Sequence, residues 1–124
     1  MANPQTYFAN KIIWITGASS GIGKELALAY SKISGVSLIL SARRIEKLTE
    51  IAKQCEQNGG KCTVFPLDLE QTDTLDEKSR EAIAIYGRID VLVNNGGISQ
   101  RSLTIETPIA NDRKIMEIDY FSSI

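Results

Sequence analysis

The stretch that decides the fold is Lys11-Ile12-Ile13-Trp14-Ile15-Thr16-Gly17-Ala18-Ser19-Ser20-Gly21-Ile22-Gly23. It begins with a short, nearly continuous apolar run, which is typical of a parallel strand buried on both faces. A glycine-rich turn follows, and then apolar residues recur at three- and four-residue spacing until Gly35 ends the pattern. We therefore expect a strand, a tight turn and a helix that runs to about Ser34.

The same alternation of apolar runs and helical periodicity continues along the chain. It predicts further strands over residues 36–41, 62–65 and 89–94. It predicts further helices over residues 44–58 and 72–86, and a last helix that Thr107-Pro108 opens and that runs to the end. Strands that alternate with helices form a parallel sheet with right-handed crossovers and helices on both faces. The pattern predicts an α/β fold with one parallel sheet.

The order of the strands decides where such a sheet binds a ligand. In the Rossmann arrangement, with strand order 3-2-1-4, the ligand lies above the carboxyl ends of the strands, at the switch between strands 1 and 4. Periodicity alone also permits a flavodoxin-like order.

Composition narrows the class of partner. The 124 residues include 14 basic and 15 acidic ones, for a net charge of -1, with no run of like charges. This balance disfavours binding to nucleic acid or to an anionic membrane surface. No apolar stretch is long enough to span a bilayer, and the first residues lack the pattern of a secretory signal. We expect a cytoplasmic protein.

The residues that usually bind metal or activate nucleophiles are few. The chain has no histidine, and its two cysteines, Cys55 and Cys62, fit neither a redox pair of the Cys-x-x-Cys type nor a zinc site. We expect free thiols, no metal site and no histidine-based nucleophile. Asp90 is interpreted as a loop or helix-cap carboxylate, and Trp14 as a core or interface aromatic residue.

The glycine-rich turn carries the strongest chemical signal. At the junction of a strand and a helix, glycines let backbone N–H groups and the positive helix end approach a pyrophosphate. Gly17 permits the tight turn, Gly21 the close approach of phosphate, and Gly23 the packing of helix on strand. A merely structural turn is the alternative. The turn residues predicted to bind a cofactor are Gly17, Ser19, Ser20, Gly21, Ile22 and Gly23.

The spacing Gly17-x-x-x-Gly21-x-Gly23, with Thr16 before it, resembles the classical short-chain dehydrogenase/reductase (SDR) family. Asn94-Asn95-Gly96-Gly97 resembles the Asn-Asn-Ala-Gly motif of that family, with Gly96 in place of alanine. Asp68 matches the position that usually contacts the adenine ring. The resemblance spans nearly the whole chain and implies that residues 1–124 form a single NADP-binding Rossmann domain, the N-terminal half of an SDR enzyme. It also implies that the fold is truncated after strand 4 and part of the next helix. Further cofactor contacts are then expected at Asp68, Leu69, Asn95, Gly96 and Gly97.

The end of the second strand indicates which nicotinamide cofactor is preferred. A site for an unphosphorylated ribose usually has an acidic residue there, but this chain has Ser41-Ala42-Arg43-Arg44. The planar donors of arginine match a phosphate dianion. We predict a 2′-phosphate site at Arg43, with Ser41 and Arg44 assisting, and hence NADP(H) over NAD(H). The alternative is that both arginines merely begin a solvated helix.

The resemblance also shows which catalytic residues are missing from the chain. The family uses a tyrosine as general acid, a lysine four residues later, a serine, and an asparagine in the helix after strand 4. The serine and the Tyr-x-x-x-Lys pair would lie beyond this chain, and Asp119 aligns with the asparagine. An ionised carboxylate cannot donate a hydrogen bond, so Asp119 is a departure. We expect the 124-residue chain alone to be inactive.

We also expect strand 4, at Val91-Leu92-Val93, to present an unpaired apolar edge that makes the chain poorly soluble.

The sequence leaves two possible functions, each typical of a different class of protein. In the first, the intact protein is an NADP(H)-dependent oxidoreductase that transfers hydride between nicotinamide and a carbonyl or secondary alcohol of a small molecule, and it forms a homo-oligomer. In the second, the 124-residue chain is complete and is a non-catalytic dinucleotide-binding or interaction module.

Overall fold

A computed structural model describes residues 8–19, 21–67, 75–95 and 116–119 of the chain. Within these ranges, strands and helices alternate as the sequence predicts, up to the fourth strand. The elements are β1 (Ile12–Thr16), α1 (Gly21–Ser31), β2 (Ser37–Ser41), α2 (Ile45–Gln57), β3 (Lys61–Val64), α3 (Leu75–Tyr86), β4 (Val91–Asn94) and β5 (Met116–Asp119).

The strands form one parallel sheet in the order β3-β2-β1-β4-β5. Thr16, the last residue of β1, is in register with Ser41 of β2 and with Asn94 of β4. The carboxyl ends of the three strands therefore meet at one edge of the sheet. The order β3-β2-β1-β4 confirms the Rossmann arrangement and excludes the flavodoxin-like alternative, in which β1 would pair with β3.

Both faces of the sheet are covered, which explains the continuous apolar pattern of β1. All five residues of β1 are buried. Ile13 and Ile15 belong to the core under α1 and α2, whereas Trp14 belongs to the core on the opposite face, which includes Ala82 and Ile83 of α3. Burying each large aliphatic or aromatic side chain contributes about 1.5–3 kcal/mol, so the apolar residues of this central strand contribute strongly to the stability of the sheet.

The first helix is shorter than its apolar spacing predicts. It ends at Ser31, whereas periodicity predicts an end at about Ser34. The N–H groups of Lys32 and Ile33 bond to carbonyls three residues back, at 3.3 and 3.0 Å, so the last turn is tighter than an α-helix. The apolar Ile33 remains buried in that turn, and for this reason the spacing extends beyond the helix.

The prediction of a helix through the last residues is wrong for Met116–Asp119, which form β5. This strand pairs in parallel with β4, with Val91 opposite Met116 and Asn94 opposite Asp119. The sequence Met-Glu-Ile-Asp alternates apolar and polar residues, as a strand requires, and β4 offers it unpaired backbone groups. The expectation that the chain stops in a helix after strand 4 is thus corrected to a fifth strand. Residues 107–115, where the helix was predicted to begin, lie outside the described residues.

The same pairing corrects the expected edge of the sheet. Val91, Leu92 and Val93 were predicted to lie unpaired, but β5 covers them. The unpaired apolar edge that was expected to make the chain poorly soluble is therefore absent at β4.

Candidate nucleotide-binding site

The turn between β1 and α1 requires glycine at its first position. Gly17 has a φ of 64°, in the left-handed region that favours glycine. The N–H of the next residue, Ala18, donates to the carbonyl of Ser41 at 3.0 Å, and Ala18 is fully buried. This bond holds the turn against the end of β2, so the turn and the second strand share one edge.

Gly23 is packed so closely that any larger residue would force the turn or α1 to move. A Cβ built there would lie 2.2 Å from the carbonyl oxygen of Gly17 and 2.9 Å from Nδ2 of Asn95. The helix α1 therefore begins in direct contact with the turn. This is the close packing that the sequence predicts for Gly23.

Gly21, only two residues earlier, faces open space. Among the described residues, no heavy atom lies within 4 Å of a Cβ built at Gly21. The first turn of α1 carries no acidic residue. Because the N–H groups of a first helical turn lack intrahelical partners and carry the positive end of the helix dipole, an anion can approach this end of α1. Ser19 is half-buried and Ile22 is 42% exposed beside it, while Ser20 lies outside the described residues.

Asn94, the last residue of β4, and Asn95, which follows it, join this strand to the glycine-rich turn. The side-chain amide of Asn95 donates to the carbonyl of Gly17 at 3.2 Å. The hydroxyl of Thr16 lies 3.3 Å from Oδ1 of Asn94 and donates to it. Two motifs that are 78 residues apart in sequence thus meet at the carboxyl edge. Gly96 and Gly97 lie outside the described residues.

The predicted phosphate-binding residues at the end of β2 differ in burial. Ser41 is 1% exposed, and its hydroxyl oxygen accepts the indole N–H of Trp14 at 2.8 Å. Arg43 and Arg44 are both exposed. Arg44 precedes α2 with an extended backbone and makes no side-chain capping bond. A ligand would therefore meet the arginines at the surface, with Ser41 beneath them.

Trp14 is a residue of the site that sequence reasoning missed. It was interpreted as a core aromatic residue, and it is fully buried, yet it also holds the hydroxyl of Ser41. The available signal was strand register: Trp14 pairs with Ile39, and Ser41 lies on the same face two residues later.

The segment after β3 stays beside β2 up to the last residue described before Asp68. The N–H of Phe65 donates to the carbonyl of Leu40 at 2.8 Å, and that of Leu67 donates to Ala42 at 3.1 Å. Leu67 is buried. Asp68 and Leu69 lie outside the described residues, so their predicted contacts with the adenine end of a cofactor stay predictions.

Asp119 ends β5 opposite Asn94, so its backbone lies at the same carboxyl edge. The prediction placed it in a helix, as the counterpart of a catalytic asparagine, and that local structure is wrong. Its catalytic role stays a prediction.

Asp90 lies at the opposite, amino edge of the sheet. One carboxylate oxygen accepts the N–H of Ile12 at 2.9 Å, and Arg88 forms an ion pair with it at 3.0 Å. These contacts agree with its interpretation as a loop carboxylate. They fix the entry into β1 on the side away from the glycine-rich turn.

Metal-ligand clusters and membrane-spanning helices are both absent from the parts of the chain that the structure describes. There, no three or more His, Cys, Asp or Glu side chains gather as metal ligands would. None of the helices in those parts has the length and apolar character needed to cross a membrane.

Comparison with known proteins shows the class to which this fold and site belong. The family model for the short chain dehydrogenase matches residues 11–124, and the chain belongs to that family. The human protein Dehydrogenase/reductase SDR family member 7 is 43% identical over 98% of this chain. The chain spans 37% of the length of that relative.

Solved structures show the same architecture. A metagenomic short-chain oxidoreductase in complex with NADP is 32% identical, with a TM-score of 0.67 over 73% of this chain and 41% of its own. The NADH-dependent reductase A1-R′, complexed with NAD, has a TM-score of 0.67 over 75% of this chain and 38% of its own. It is 24% identical and shows the fold alone. The resemblance to the SDR family and the Rossmann-type fold are confirmed.

Proposed function

We propose that residues 1–124 form the cofactor-binding, N-terminal half of an NADP(H)-dependent oxidoreductase. The intact protein would transfer hydride between nicotinamide and a carbonyl or secondary alcohol of a small molecule. The observation that carries the proposal is the contrast within the glycine-rich turn: Gly23 is closed against Gly17 and Asn95, whereas Gly21 faces open space at the start of α1.

The residues present fit a dinucleotide. The start of α1 would hold the pyrophosphate through backbone N–H groups, with the bond from Asn95 to Gly17 keeping the turn in shape. Asp68 would lie at the adenine ring, and Asn95, Gly96 and Gly97 would lie near the middle of the cofactor. The cofactor itself supplies the hydride chemistry, and the protein binds and orients it.

The preference for NADP(H) rests on the surface at the start of α2. Arg43 and Arg44 place two cations beside the positive end of a helix, an arrangement that the helix dipole does not stabilise. A phosphate dianion at these two exposed arginines would accept charge-assisted hydrogen bonds from them. The metagenomic oxidoreductase binds NADP, which agrees with this preference. The reductase that binds NAD shares the fold at lower identity, so the choice needs a direct test.

Trp14 provides the measurement, because it is the one tryptophan in the chain and lies under the site. Reduced nicotinamide absorbs where tryptophan emits, so bound cofactor quenches the emission. We expect NADPH to bind more tightly than NADH. Replacing Arg43 and Arg44 by alanine should raise the Kd for NADPH about tenfold to a hundredfold, since a charge-assisted hydrogen bond contributes about 1.5–3 kcal/mol.

Lys53→Ala is the matched control, because it removes an exposed cation from the same helix, farther from the site. It should leave the NADPH affinity within about twofold, as expected for a distant screened charge. Equal affinity for NADH and NADPH in the unmodified chain would refute the assignment of cofactor preference.

The second function, a non-catalytic dinucleotide-binding module, predicts binding without turnover. NADPH oxidation by the full-length natural protein over a panel of carbonyl compounds separates the two. Turnover by that protein, with none by the 124-residue chain, would support the proposal. Tight NADPH binding with no turnover by any form would support the module. The homo-oligomer and the cytoplasmic location stay predictions.

A further inference from the structure

The two cysteines lie on either side of the tight connection between α2 and β3. Cys55 is in the last turn of α2, and Cys62 is the second residue of β3. The carbonyl of Cys55 accepts the N–H of Asn58 at 3.1 Å and that of Gly60 at 3.3 Å. The connection is thus already folded back on Cys55 by backbone hydrogen bonds.

The sheet directs the Cys62 side chain toward Cys55. Cys62 pairs with Leu38 of β2, and both pack on the face of the sheet that α1 and α2 cover. Cys55 is fully buried in that same core, whereas Cys62 is only half-buried. The side chains of the two cysteines lie close enough for each to shift the pKa of the other. The thiol of Cys55 also donates to the carbonyl of Ala27 at 3.5 Å.

This contact gives the two sulfurs different acidity. The hydrogen bond with Cys62 lowers the pKa of Cys55, although burial acts in the opposite direction, and Ser31 lowers it further. The same hydrogen bond raises the pKa of Cys62, and burial raises it further. Cys55 is thus the sulfur more easily deprotonated, and Cys62 is the more exposed residue of the two.

We propose that Cys55 and Cys62 form an intramolecular disulfide when the chain meets an oxidised low-molecular-weight disulfide, RS–SR, such as oxidised glutathione. The Cys62 sulfur gives up its proton and attacks one sulfur of RS–SR, forming a mixed disulfide and releasing RS⁻. The Cys55 thiolate then attacks the Cys62 sulfur, which forms the Cys55–Cys62 bond and releases the second RS⁻. Both released thiolates take up the two protons, so two protein thiols are oxidised and RS–SR is reduced to two RSH.

The surroundings favour this second attack over a lasting mixed disulfide. Asn58 is held by its side chain to the hydroxyl of Ser31 at 2.9 Å, so the connection, α1 and α2 are fixed together. Cys55, which packs in the same core as Cys62, is therefore held on a connection that cannot easily move away. The disulfide would link α2 to β3. Among the described strands, β3 lies at the edge of the sheet and pairs with β2.

The test is to incubate the 124-residue chain with oxidised glutathione, alkylate the remaining thiols in denaturant and measure the intact mass. We expect a loss of about 2 Da, for two hydrogen atoms, and no alkylation, where the reduced chain accepts two alkyl groups. Dithiothreitol should restore both thiols. The rate should rise about tenfold per pH unit at neutral pH, because the raised pKa of Cys62 limits the first attack.

Two single variants show which sulfur reacts first. Cys55→Ala keeps a small apolar group in the core and should stop at one glutathione adduct on Cys62. Cys62→Ser should acquire no adduct on the buried Cys55 while the chain remains folded by circular dichroism. Glutathione adducts on both cysteines of the unmodified chain, or two alkylatable thiols after prolonged oxidation, would overturn the proposal.

Discussion

Gly21 and Gly23 lie only two residues apart, yet an added methyl group would meet opposite surroundings at the two positions. At Gly23 it would meet the backbone of the turn at 2.2 Å, whereas at Gly21 no described atom lies within 4 Å. One glycine is therefore needed for the fold and the other for access. This division separates stability from binding at the scale of a single side chain.

Gly23→Ala should destabilise the chain by about 1–3 kcal/mol, because either α1 or the turn must move to admit the methyl group. Gly21→Ala should leave the melting temperature near that of the unmodified chain but weaken NADPH binding, since its methyl group lies where phosphate would approach. Thermal unfolding and quenching of Trp14 emission measure the two effects. If Gly21→Ala bound NADPH normally, the pyrophosphate would lie elsewhere.

A second residue pair joins α3 to the edge of the sheet. The hydroxyls of Tyr86 and Thr63 hydrogen-bond at 2.7 Å. Burial raises the pKa of Tyr86 above its ordinary value of 10.0, although the bond to Thr63 acts in the opposite direction. The folded chain therefore favours the neutral phenol, and the unfolded chain loses that proton at lower pH.

The contribution of this raised pKa to stability is present below about pH 10 and is lost as pH rises through the folded pKa. Tyr86→Phe should lower the free energy of unfolding by about 1 kcal/mol at neutral pH, through loss of one hydrogen bond. Above about pH 10 the difference between the two proteins should shrink. Thr63→Val is the control, because it loses the same bond but keeps the half-buried tyrosine, which titrates. Parallel stability curves for Tyr86→Phe and the unmodified chain would contradict the assignment.

At the scale of elements, the first four strands were predictable and the fifth was not. β1 and β4 are short apolar runs with clear punctuation, so periodicity finds them within one or two residues. Met116–Asp119 is only four residues long, and its pairing depends on β4, more than 20 positions earlier in sequence. The helix-start signal at Thr107-Pro108 is local in sequence, so it predicted a helix, whereas the strand depends on a distant partner.

The site divides in the same way. The glycine-rich turn was predictable because its residues are contiguous, and the family motif placed Asn95 at the site, although its bond to Gly17 was not predicted. The burial of Ser41 was not, since it depends on Trp14, which lies 27 positions away and meets it only through strand register. Local sequence pattern does not predict the contacts that the sheet creates between strands distant in sequence.

For the whole molecule, β5 decides which edge of the sheet is exposed. It supplies parallel partners to all four residues of β4. A chain shortened to remove residues 116–124 should expose the apolar Val91-Leu92-Val93 edge and should aggregate more readily. Sedimentation velocity measures the change, and a chain that lacks only residues 120–124 is the control. Equal behaviour of the two shortened chains would show that β5 does not protect this edge.

The hydrogen bond between Trp14 and Ser41 has a consequence for how such a protein can diverge. The serine is sealed in the interior, while the two arginines of the proposed phosphate site stand outside it. Exposed substitutions away from packed contacts usually change stability by less than about 0.5 kcal/mol. Under the proposed function, surface mutations alone can therefore change which nicotinamide cofactor is preferred. Such mutations cost the fold little stability, so cofactor preference can change readily in evolution.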